Sequence, residues 1–212
     1  MDLYYIGLSL VSNSSQKAPS KRALLSAEGR RMLALLIGRP LLDLNFAFEE
    51  NGRPYFPDRS ADFNISHSGN MAAISFLSLN GLERRTCCDI QLVKPRSNAR
   101  EIAEKFFHPA EIDYIFSGGD QARFFSIWTL KECYLKLKGL SVFDMEKAPS
   151  FICNRAFCVQ NPFSFVLYEL KGKNEQYMLA AAAEGLKTLK PVIRWFSESS
   201  MPCKKIAESF SG

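Results

Sequence analysis

The first eighty residues alternate between short apolar segments and polar breaks, which is the pattern of a small sheet with one helix. Strands are predicted at residues 4–11, 46–49, 53–56, 63–66 and 71–79. Asn51-Gly52 lies between the second and third of these segments and is a strong hairpin signal. A helix is predicted with Ser26 as its N-cap, because apolar residues then follow at helical spacing.

The second half begins with a strand whose two faces differ. Over residues 86–93 the side chains alternate, so Asp89 and Gln91 share one face. The opposite face is apolar and consists of Cys88, Ile90 and Leu92. We therefore predict a strand with one polar face at the start of this half.

Three helices are predicted next. Asn98 and Glu101 form a candidate capping box for a helix through residue 107, and Pro109 suits the first position of a second helix. The third helix is predicted from Asp120 as N-cap to Lys138, where Gly139 ends it. Further strands are expected near residues 151–159, 163–170, 178–183 and 192–196, followed by a polar tail at residues 198–212.

Composition and charge narrow the class of protein without selecting a function. The chain has 212 residues, of which 47% are hydrophobic and 12% aromatic, as in a globular protein with a substantial core. A net charge of +5 favours acidic partners, including phosphorylated ligands and acidic proteins. We expect no nucleic-acid or membrane partner, because there is no basic-aromatic motif and no apolar run of membrane-spanning length.

The cysteines and the first apolar stretch are used to predict the cellular compartment of the protein. Six cysteines without a CxxC pair, together with two histidines, argue against a zinc site, and we expect free, buried thiols. The first apolar stretch is too short for a signal peptide and lacks basic flanks. These features predict a reducing, cytoplasmic setting.

A first candidate site lies at residues 62–69, where a strand runs into a turn crowded with small polar side chains. The hydroxyls of Ser66 and Ser68, the imidazole of His67 and the backbone made accessible by Gly69 are groups that bind phosphate. The alternative is a surface loop whose histidine has no ligand.

A second candidate site joins the polar face of residues 86–93 to the third helix. Oxygen atoms such as those of Asp89 and Gln91 suit Mg²⁺, although a solvated acid on an exposed sheet is the alternative. Trp128, Glu132 and Lys136 are four residues apart and share one helix face. Glu132 could complete a metal site or act as general base, and Lys136 could bind phosphate. The alternative is a helix-stabilising pair worth roughly 0.2–0.5 kcal/mol.

Five short motifs, in the same order and with similar spacing, resemble the phosphopantetheinyl transferases of the surfactin-synthetase-activating (Sfp) type. The motifs are Asn51-Gly52-Arg53-Pro54-Tyr55-Phe56, Phe63-Asn64-Ile65-Ser66-His67-Ser68, Asp89-Ile90, Ile102-Ala103 with Phe106-Phe107, and Trp128-Thr129-Leu130-Lys131-Glu132 with Lys136. Each motif alone is weak, but all of them together are hard to obtain by chance. The resemblance covers roughly residues 20–150.

The resemblance implies an α+β fold, a pseudo-dimer of two similar α/β halves that each contain a small antiparallel sheet with helices. We expect an N-terminal half at residues 1–85, with the nucleotide contacts, and a C-terminal half at residues 86–197, with the metal and catalytic residues. Coenzyme A would bind between the halves as a substrate, and its phosphopantetheine arm would move to a serine of an apo acyl or peptidyl carrier protein. Because one chain supplies both halves, we expect a monomer.

The resemblance also implies roles for individual residues. Asp89 and Glu132 would hold Mg²⁺, Glu132 would help deprotonate the carrier serine, and Lys136 would stabilise the pyrophosphate and the departing 3′,5′-ADP. The other residues expected along coenzyme A are Ser66, His67, Arg53 and Lys131. Arg22 and Arg30 are candidate clamps for the 3′-phosphate, and Arg31 could replace Arg30.

The sequence departs from the family pattern at the metal site. The family commonly has Gly-x-Asp-x-Glu, whereas Cys87, Asp89 and Gln91 occupy those positions here. Gln91 could coordinate through its amide oxygen, but one negative charge is lost, so metal affinity or preference could differ. This departure supports an alternative function, a non-catalytic module that binds coenzyme A or a carrier protein.

Overall fold

The computed structural model describes residues 4–11, 20–79, 84–154, 156–158, 163–186 and 190–209. The strands are β1 Tyr4–Leu10, β2 Ala47–Phe48, β3 Pro54–Tyr55, β4 Ala61–Ser68, β5 Met71–Ser78, β6 Thr86–Leu92, β7 Ile152–Cys153, β8 Ala156–Phe157, β9 Phe163–Lys171, β10 Gln176–Glu184, β11 Val192–Trp195 and β12 Cys203–Ser209. The α-helices are α1 Lys21–Ile37, α2 Ala99–Phe106, α3 Pro109–Ser117 and α4 Gln121–Lys138. Short 3-10 segments span Leu41–Asp43 and Val142–Lys147.

The two four-stranded sheets share the order of three strands and differ in the position of the fourth. The first sheet runs β11-β1-β5-β4 and the second runs β12-β9-β10-β6. In the first half β5 lies between β1 and β4 and pairs with both. In the second half β10 lies between β6 and β9 and pairs with both. An α+β fold made of two similar halves with antiparallel sheets is therefore confirmed.

The layers follow the order α1, first sheet, second sheet, and then α2 to α4. One core lies between the two sheets and includes Ile6, Ile90 and Leu179. A second core lies between the first sheet and α1, and a third lies between the second sheet and α2 to α4. Each sheet is thus covered on both faces, and the edges of β4 and β6 come together beside the middle layer.

β4 and β6 are joined by side chains where the two sheets meet. Every second backbone N–H of β6 donates to a side-chain oxygen on β4, and each donor lies 24 residues after its acceptor. The pairs are Thr86 with Asp62 at 2.6 Å, Cys88 with Asn64 at 3.2 Å, Ile90 with Ser66 at 3.3 Å and Leu92 with Ser68 at 3.0 Å. We call this set of hydrogen bonds the seam ladder.

The end of the chain departs from the predicted domain boundaries. Residues 192–195 were assigned to the second half, but they form β11, which pairs in parallel with β1 in the first sheet. Much of the predicted polar tail forms β12, which pairs with β9, while residues 210–212 lie outside the described residues. In both cases the stabilising hydrogen bonds come from a distant strand, which a local polar pattern does not reveal.

The predicted helix boundaries hold for α3 and α4, whereas α1 begins earlier than predicted. Asp120 caps α4, and Gly139 ends it in the left-handed conformation with φ 69°, as predicted. α1 begins directly after Ser20, whose hydroxyl accepts from a backbone N–H, so Ser26 lies inside the helix. The predicted capping box at Asn98 is not formed, because its side chain accepts from an arginine instead.

Disulfides correct the prediction of free thiols. The structure joins Cys87 to Cys133 and Cys153 to Cys158, while Cys88 is free and buried. Cys87 lies on the face of β6 that packs against α4, so the packing of these elements brings it to Cys133. Within the described parts of the chain, no helix has both the length and the hydropathy needed to cross a bilayer.

We expect Asn64→Ala to lower the free energy of unfolding by about 1–3 kcal/mol, because the Cys88 N–H would lose its acceptor in a partly buried seam. Urea unfolding would measure the change. The control is Asn174→Ala at an exposed position, where the change should stay within about 0.5 kcal/mol. Equal effects of the two substitutions would contradict a stabilising role for the seam ladder.

Candidate active site

β6 and α4 bring four polar side chains together. Asp89 and Gln91 lie on the face of β6 that packs against α4, whereas Cys88 and Ile90 lie in the core between the sheets. This confirms the predicted alternation along the strand. Glu132 lies on the facing helix, and Lys136 follows it one turn later.

Both acids of this group contact the same side chain, Gln91. The Gln91 amide Nε2 donates to Asp89 Oδ2 at 2.9 Å and to Glu132 Oε2 at 3.4 Å. Lys136 Nζ donates to the other oxygen of Asp89, Oδ1, at 2.5 Å. The structure therefore brings the strand acid and the helix acid to the same amide group.

Because these charged groups are largely buried, the pKa of each one depends on the charges of the others. Asp89 is only 1% exposed, whereas 29% of the Lys136 side chain is exposed. Burial and the negative charge of Asp89 raise the pKa of Glu132 to about 8, although Lys136 and a hydrogen bond with Trp128 act in the opposite direction. Burial alone would lower the pKa of Lys136, but attraction to Asp89 and Glu132 outweighs it and raises that pKa.

The donor set fits a magnesium ion. Among the described residues, no three His, Cys, Asp or Glu side chains gather as a metal site. The oxygen donors here are two carboxylates, and the amide oxygen of Gln91 joins them only if the amide turns over, because its Nε2 faces both acids. Mg²⁺ typically takes one or two carboxylates and fills its other positions with water and phosphate. Burial, and after it the charge of Asp89, raises the pKa of Glu132, and a divalent cation beside the two acids would favour their charged forms.

Ser66 lies beside this acid pair, within the seam ladder. Its hydroxyl donates to Asp89 Oδ1 at 2.9 Å and accepts from Lys136 Nζ at 3.0 Å. The predicted phosphate turn is thus part of β4, which continues to Ser68, and the turn itself begins at Gly69. The predicted strand end at residue 66 is two residues early, because β4 continues to Ser68, whose hydroxyl takes part in the seam ladder.

His67 and Arg22 form a separate basic surface. His67 is half-buried, and burial, followed by the positive charges of Arg22 and Lys136, lowers its pKa. The lowered pKa favours the neutral imidazole, which can still donate to a phosphate through one ring nitrogen. Arg22 is exposed at the start of α1 and close enough to His67 to affect it electrostatically.

The structure distinguishes the two remaining candidate clamps on α1. Arg30 is exposed and donates only a 3.4 Å hydrogen bond, to Ser26. Ser26 lies one helical turn before Arg30 and one turn after Arg22. Arg31 instead forms a two-fold contact with Glu28 and donates to the Phe196 carbonyl. Arg30 is therefore the residue with donors available for a ligand.

Arg53 does not occupy the position expected for a residue that binds coenzyme A. It is 8% exposed, and its guanidinium donates to Asp62 Oδ2 at 2.6 Å, to the Thr86 carbonyl at 2.7 Å and to the Lys136 carbonyl at 3.1 Å. These contacts join the hairpin, the seam ladder and α4. We reassign Arg53 from ligand binding to the contact between the two halves.

Lys131 is also buried, although it was expected along the coenzyme. Both Lys131 and Glu111 have 0% side-chain exposure, and they form an ion pair at 3.0 Å. Burial lowers the pKa of Lys131, and Glu111 partly offsets this effect. The helical period places Lys131 away from the Glu132 face, a consequence that motif matching alone does not show.

Sequence reasoning missed two groups of residues. Trp128 was given no role of its own, yet it lies one turn before Glu132 on α4 and acts to lower the pKa of that acid. The other group is the remainder of the seam ladder on β4, where Asp62 and Asn64 were given no role and Ser68 was expected to bind phosphate. The sequence shows polar residues at every second position here, which predicts a polar stripe along one face of a strand.

Comparison with known families agrees with the geometry. The model of the 4′-phosphopantetheinyl transferase superfamily matches residues 87–180, which include Asp89, Gln91, Glu132 and Lys136. Ser66, His67 and the candidate arginines of α1 lie outside the match.

Individual relatives extend the similarity beyond that segment. The chain is 31% identical to the 4′-phosphopantetheinyl transferase AcpT of Escherichia coli K12 over 159 residues, which is 70% of this chain and 80% of AcpT. It is 32% identical over 130 residues to HetI of Nostoc sp., a match to 56% of this chain and about half (53%) of HetI. It is 32% identical over 120 residues to gsp of Aneurinibacillus migulanus, covering 54% of this chain and 46% of that protein. HetI and gsp are also named 4′-phosphopantetheinyl transferases.

We expect Lys131→Met to lower the free energy of unfolding by about 3–5 kcal/mol, because Glu111 would lose its buried partner. Coenzyme A affinity of the folded fraction should not change, since Lys131 has no open surface. Urea unfolding and calorimetric titration with coenzyme A would test these two effects. The control is Lys147→Met, which breaks an exposed pair with Asp144 and should cost no more than about 1 kcal/mol. Normal stability combined with weak coenzyme A binding would restore Lys131 as a ligand.

Proposed function

The chain belongs to the 4′-phosphopantetheinyl transferase superfamily, and from this premise we propose that it transfers the 4′-phosphopantetheine group of coenzyme A to a serine of an apo acyl or peptidyl carrier protein. The other product is 3′,5′-ADP. The observation that supports the proposal is the set of hydrogen bonds that joins Asp89, Gln91, Glu132 and Lys136. The names of AcpT, HetI and gsp support the same reaction.

Asp89 and Glu132, with the amide oxygen of Gln91, would hold Mg²⁺. Bound there, Mg²⁺ supplies positive charge to the pyrophosphate of coenzyme A. Oδ1 of Asp89 is held by Lys136 and Ser66, so Oδ2, which accepts from Gln91 Nε2 in the metal-free site, is the oxygen that would turn to the ion. With Gln91 in place of an acid, the site carries one negative charge fewer than the usual family pattern.

The proton and the leaving group have defined partners. In the proposed reaction the serine oxygen forms a bond to the β-phosphorus, and the bond from that phosphorus to the 3′,5′-ADP oxygen breaks. Glu132 accepts the serine proton, because a carboxylate held beside the reacting phosphate can act as a general base. Lys136 stabilises the charge that develops on the pyrophosphate and on 3′,5′-ADP, since most of the acceleration in phosphoryl transfer comes from positioning and charge.

The nucleotide end of coenzyme A is assigned to the basic surface on the first half. We propose that His67 and Arg22 bind nucleotide phosphates and that Arg30 clamps the 3′-phosphate, because their donors are exposed or half-buried. This surface is close to Lys136, whose charge acts on His67. A polyanion extending from α1 to α4 would therefore meet positive charge along its length.

The partners and setting follow from the same proposal. A net charge of +5 favours an acidic carrier protein as well as coenzyme A. Because β4 and β6 of one chain together form the site, we propose that a monomer is sufficient for activity. A cytoplasmic location is also part of the proposal.

Glu132→Gln and Asp89→Asn should each reduce transfer by at least about 10²-fold, because one removes the base and both weaken the metal site. The measurement is intact mass of several apo carrier proteins incubated with coenzyme A and Mg²⁺. The control Glu146→Gln changes an exposed acid outside the site and should keep wild-type rates. Wild-type turnover in either site variant would refute the assignment.

The same assay distinguishes the alternative function. If the wild-type protein binds coenzyme A but no carrier gains a phosphopantetheine group, the chain is a non-catalytic binding module. Gln91 is the feature that favours this alternative, because the lost charge weakens the metal site.

Gln91→Glu should shift the Mg²⁺ dependence of transfer to lower concentrations, because it adds a third carboxylate beside Asp89 and Glu132. Initial rates measured across a Mg²⁺ titration would show the shift. Gln121→Glu, at the exposed start of α4, adds the same charge away from the site and serves as the control. An identical titration in wild type and Gln91→Glu would place position 91 outside the metal shell.

A further inference from the structure

The turn that follows His67 is held by residues of the second half. Gly69 and Asn70 form this turn, between β4 and β5. The Asn70 backbone N–H donates to the Tyr177 hydroxyl at 3.2 Å, and the Asn70 side-chain Nδ2 donates to Glu175 Oε1 at 3.0 Å. Tyr177 lies in β10, and Glu175 precedes that strand directly. A turn of the first half is therefore fixed by two side chains of the second half.

The two partners of Asn70 also bind each other. The Tyr177 hydroxyl donates to Glu175 Oε2 at 3.2 Å, while the other oxygen of Glu175 receives Asn70. Tyr177 is 0% exposed, and burial is the main cause that raises its pKa to about 12. The hydroxyl therefore stays protonated near pH 7 and can donate and accept at once. We call Asn70, Glu175 and Tyr177 the turn clamp.

Gly69 allows the turn clamp to approach the backbone of the turn. Its φ is 57°, in the left-handed region that favours glycine. A Cβ at this position would lie 2.8 Å from the Tyr177 hydroxyl and 3.0 Å from Leu92 Cδ2. The Asn70 carbonyl accepts from the Val11 N–H at 2.8 Å, which ties the same turn to the end of β1. A displacement of the turn would therefore break contacts with both halves.

The turn clamp acts at the point where the first half approaches the proposed coenzyme A site. His67 is two residues before Gly69 in the chain, so a shift of the turn is transmitted to the imidazole. In the proposed function one coenzyme A molecule contacts His67 in the first half and a metal held by Asp89 and Glu132 in the second half. Such a ligand binds well only when the distance between its two contacts matches its length.

We propose that Asn70, Glu175 and Tyr177 are positioning residues that set the distance between His67 and the metal site, and so fit the cleft between the halves to coenzyme A. The inference rests on the proposed function, which supplies the ligand that spans the cleft. The three residues act through the turn and are not themselves assigned as ligands. Loss of the turn clamp should therefore weaken a ligand that spans both halves more than one that binds the first half alone.

The test compares Tyr177→Phe and Glu175→Ala with two reference variants. Glu175→Gln keeps an acceptor for Asn70 and a polar partner for Tyr177, and Tyr168→Phe removes a hydroxyl from the same core outside the turn clamp. Calorimetry measures the affinity of each protein for coenzyme A with Mg²⁺ and for 3′,5′-ADP in EDTA. The second probe lacks the β-phosphate and the pantetheine arm, so it reports the nucleotide surface of the first half. kcat and KM for coenzyme A are measured at saturating carrier protein, and thermal unfolding reports the folded fraction.

For Tyr177→Phe and Glu175→Ala we expect kcat/KM for coenzyme A, and its affinity with Mg²⁺, to fall by roughly 10–100-fold, since a misplacement of about 1 Å can cost about 10²-fold. The affinity for 3′,5′-ADP should not change. Glu175→Gln should retain most of the wild-type values, and Tyr168→Phe should retain all of them. Because Glu175 is only half-buried, its variants keep the comparison available if Tyr177→Phe does not fold.

Two results would overturn the role of the turn clamp. One is a loss of thermal stability with wild-type affinity for coenzyme A, which would make the contacts purely structural. The other is an equal loss of affinity for coenzyme A and 3′,5′-ADP, which would place the effect in the nucleotide surface alone. A wild-type protein that binds coenzyme A without transferring its arm would refute the proposed function, but the two affinities would still decide the role of the turn clamp. Absence of coenzyme A binding in the wild type would refute both.

Discussion

Side-chain oxygens on β4 hold the free edge of β6, and the geometry of the site depends on this contact. An edge strand presents backbone N–H groups that must find acceptors when another layer covers them. Here the acceptors are polar side chains at every second position of β4, each paired with a residue 24 positions later. Their spacing fixes the register between the two halves, because a shift by one residue would place apolar side chains opposite those N–H groups.

The register in turn determines which charges meet. It places Ser66 beside Asp89, and the packing of α4 on β6 adds Glu132 and Lys136 from the other side. Bringing two acids together in a buried position is unfavourable, as the raised pKa of Glu132 shows. Lys136 offsets part of this repulsion, and the remainder explains why the site suits a further cation.

Local chemistry made part of this arrangement predictable from the sequence. The limits of α4, the two faces of β6 and the hairpin at Asn51-Gly52 follow from capping residues, alternation and turn preference, which act over a few residues. Pairing over long distances was not predictable in the same way. Neither the strand at residues 203–209 nor the burial of Arg53 and Lys131 has a local signal, because their partners are β9, Asp62 and Glu111.

The residues that would carry out the chemistry and those that hold them in place belong to different parts of the chain. The superfamily match at residues 87–180 contains Asp89, Glu132 and Lys136, but the hydroxyl that links Asp89 to Lys136 comes from β4, outside the match. A substitution at Ser66 would therefore reach Asp89 and Lys136 from outside the matched segment. The polar stripe of β4 is thus constrained twice, because it must satisfy the edge of β6 and also orient an acid in the site.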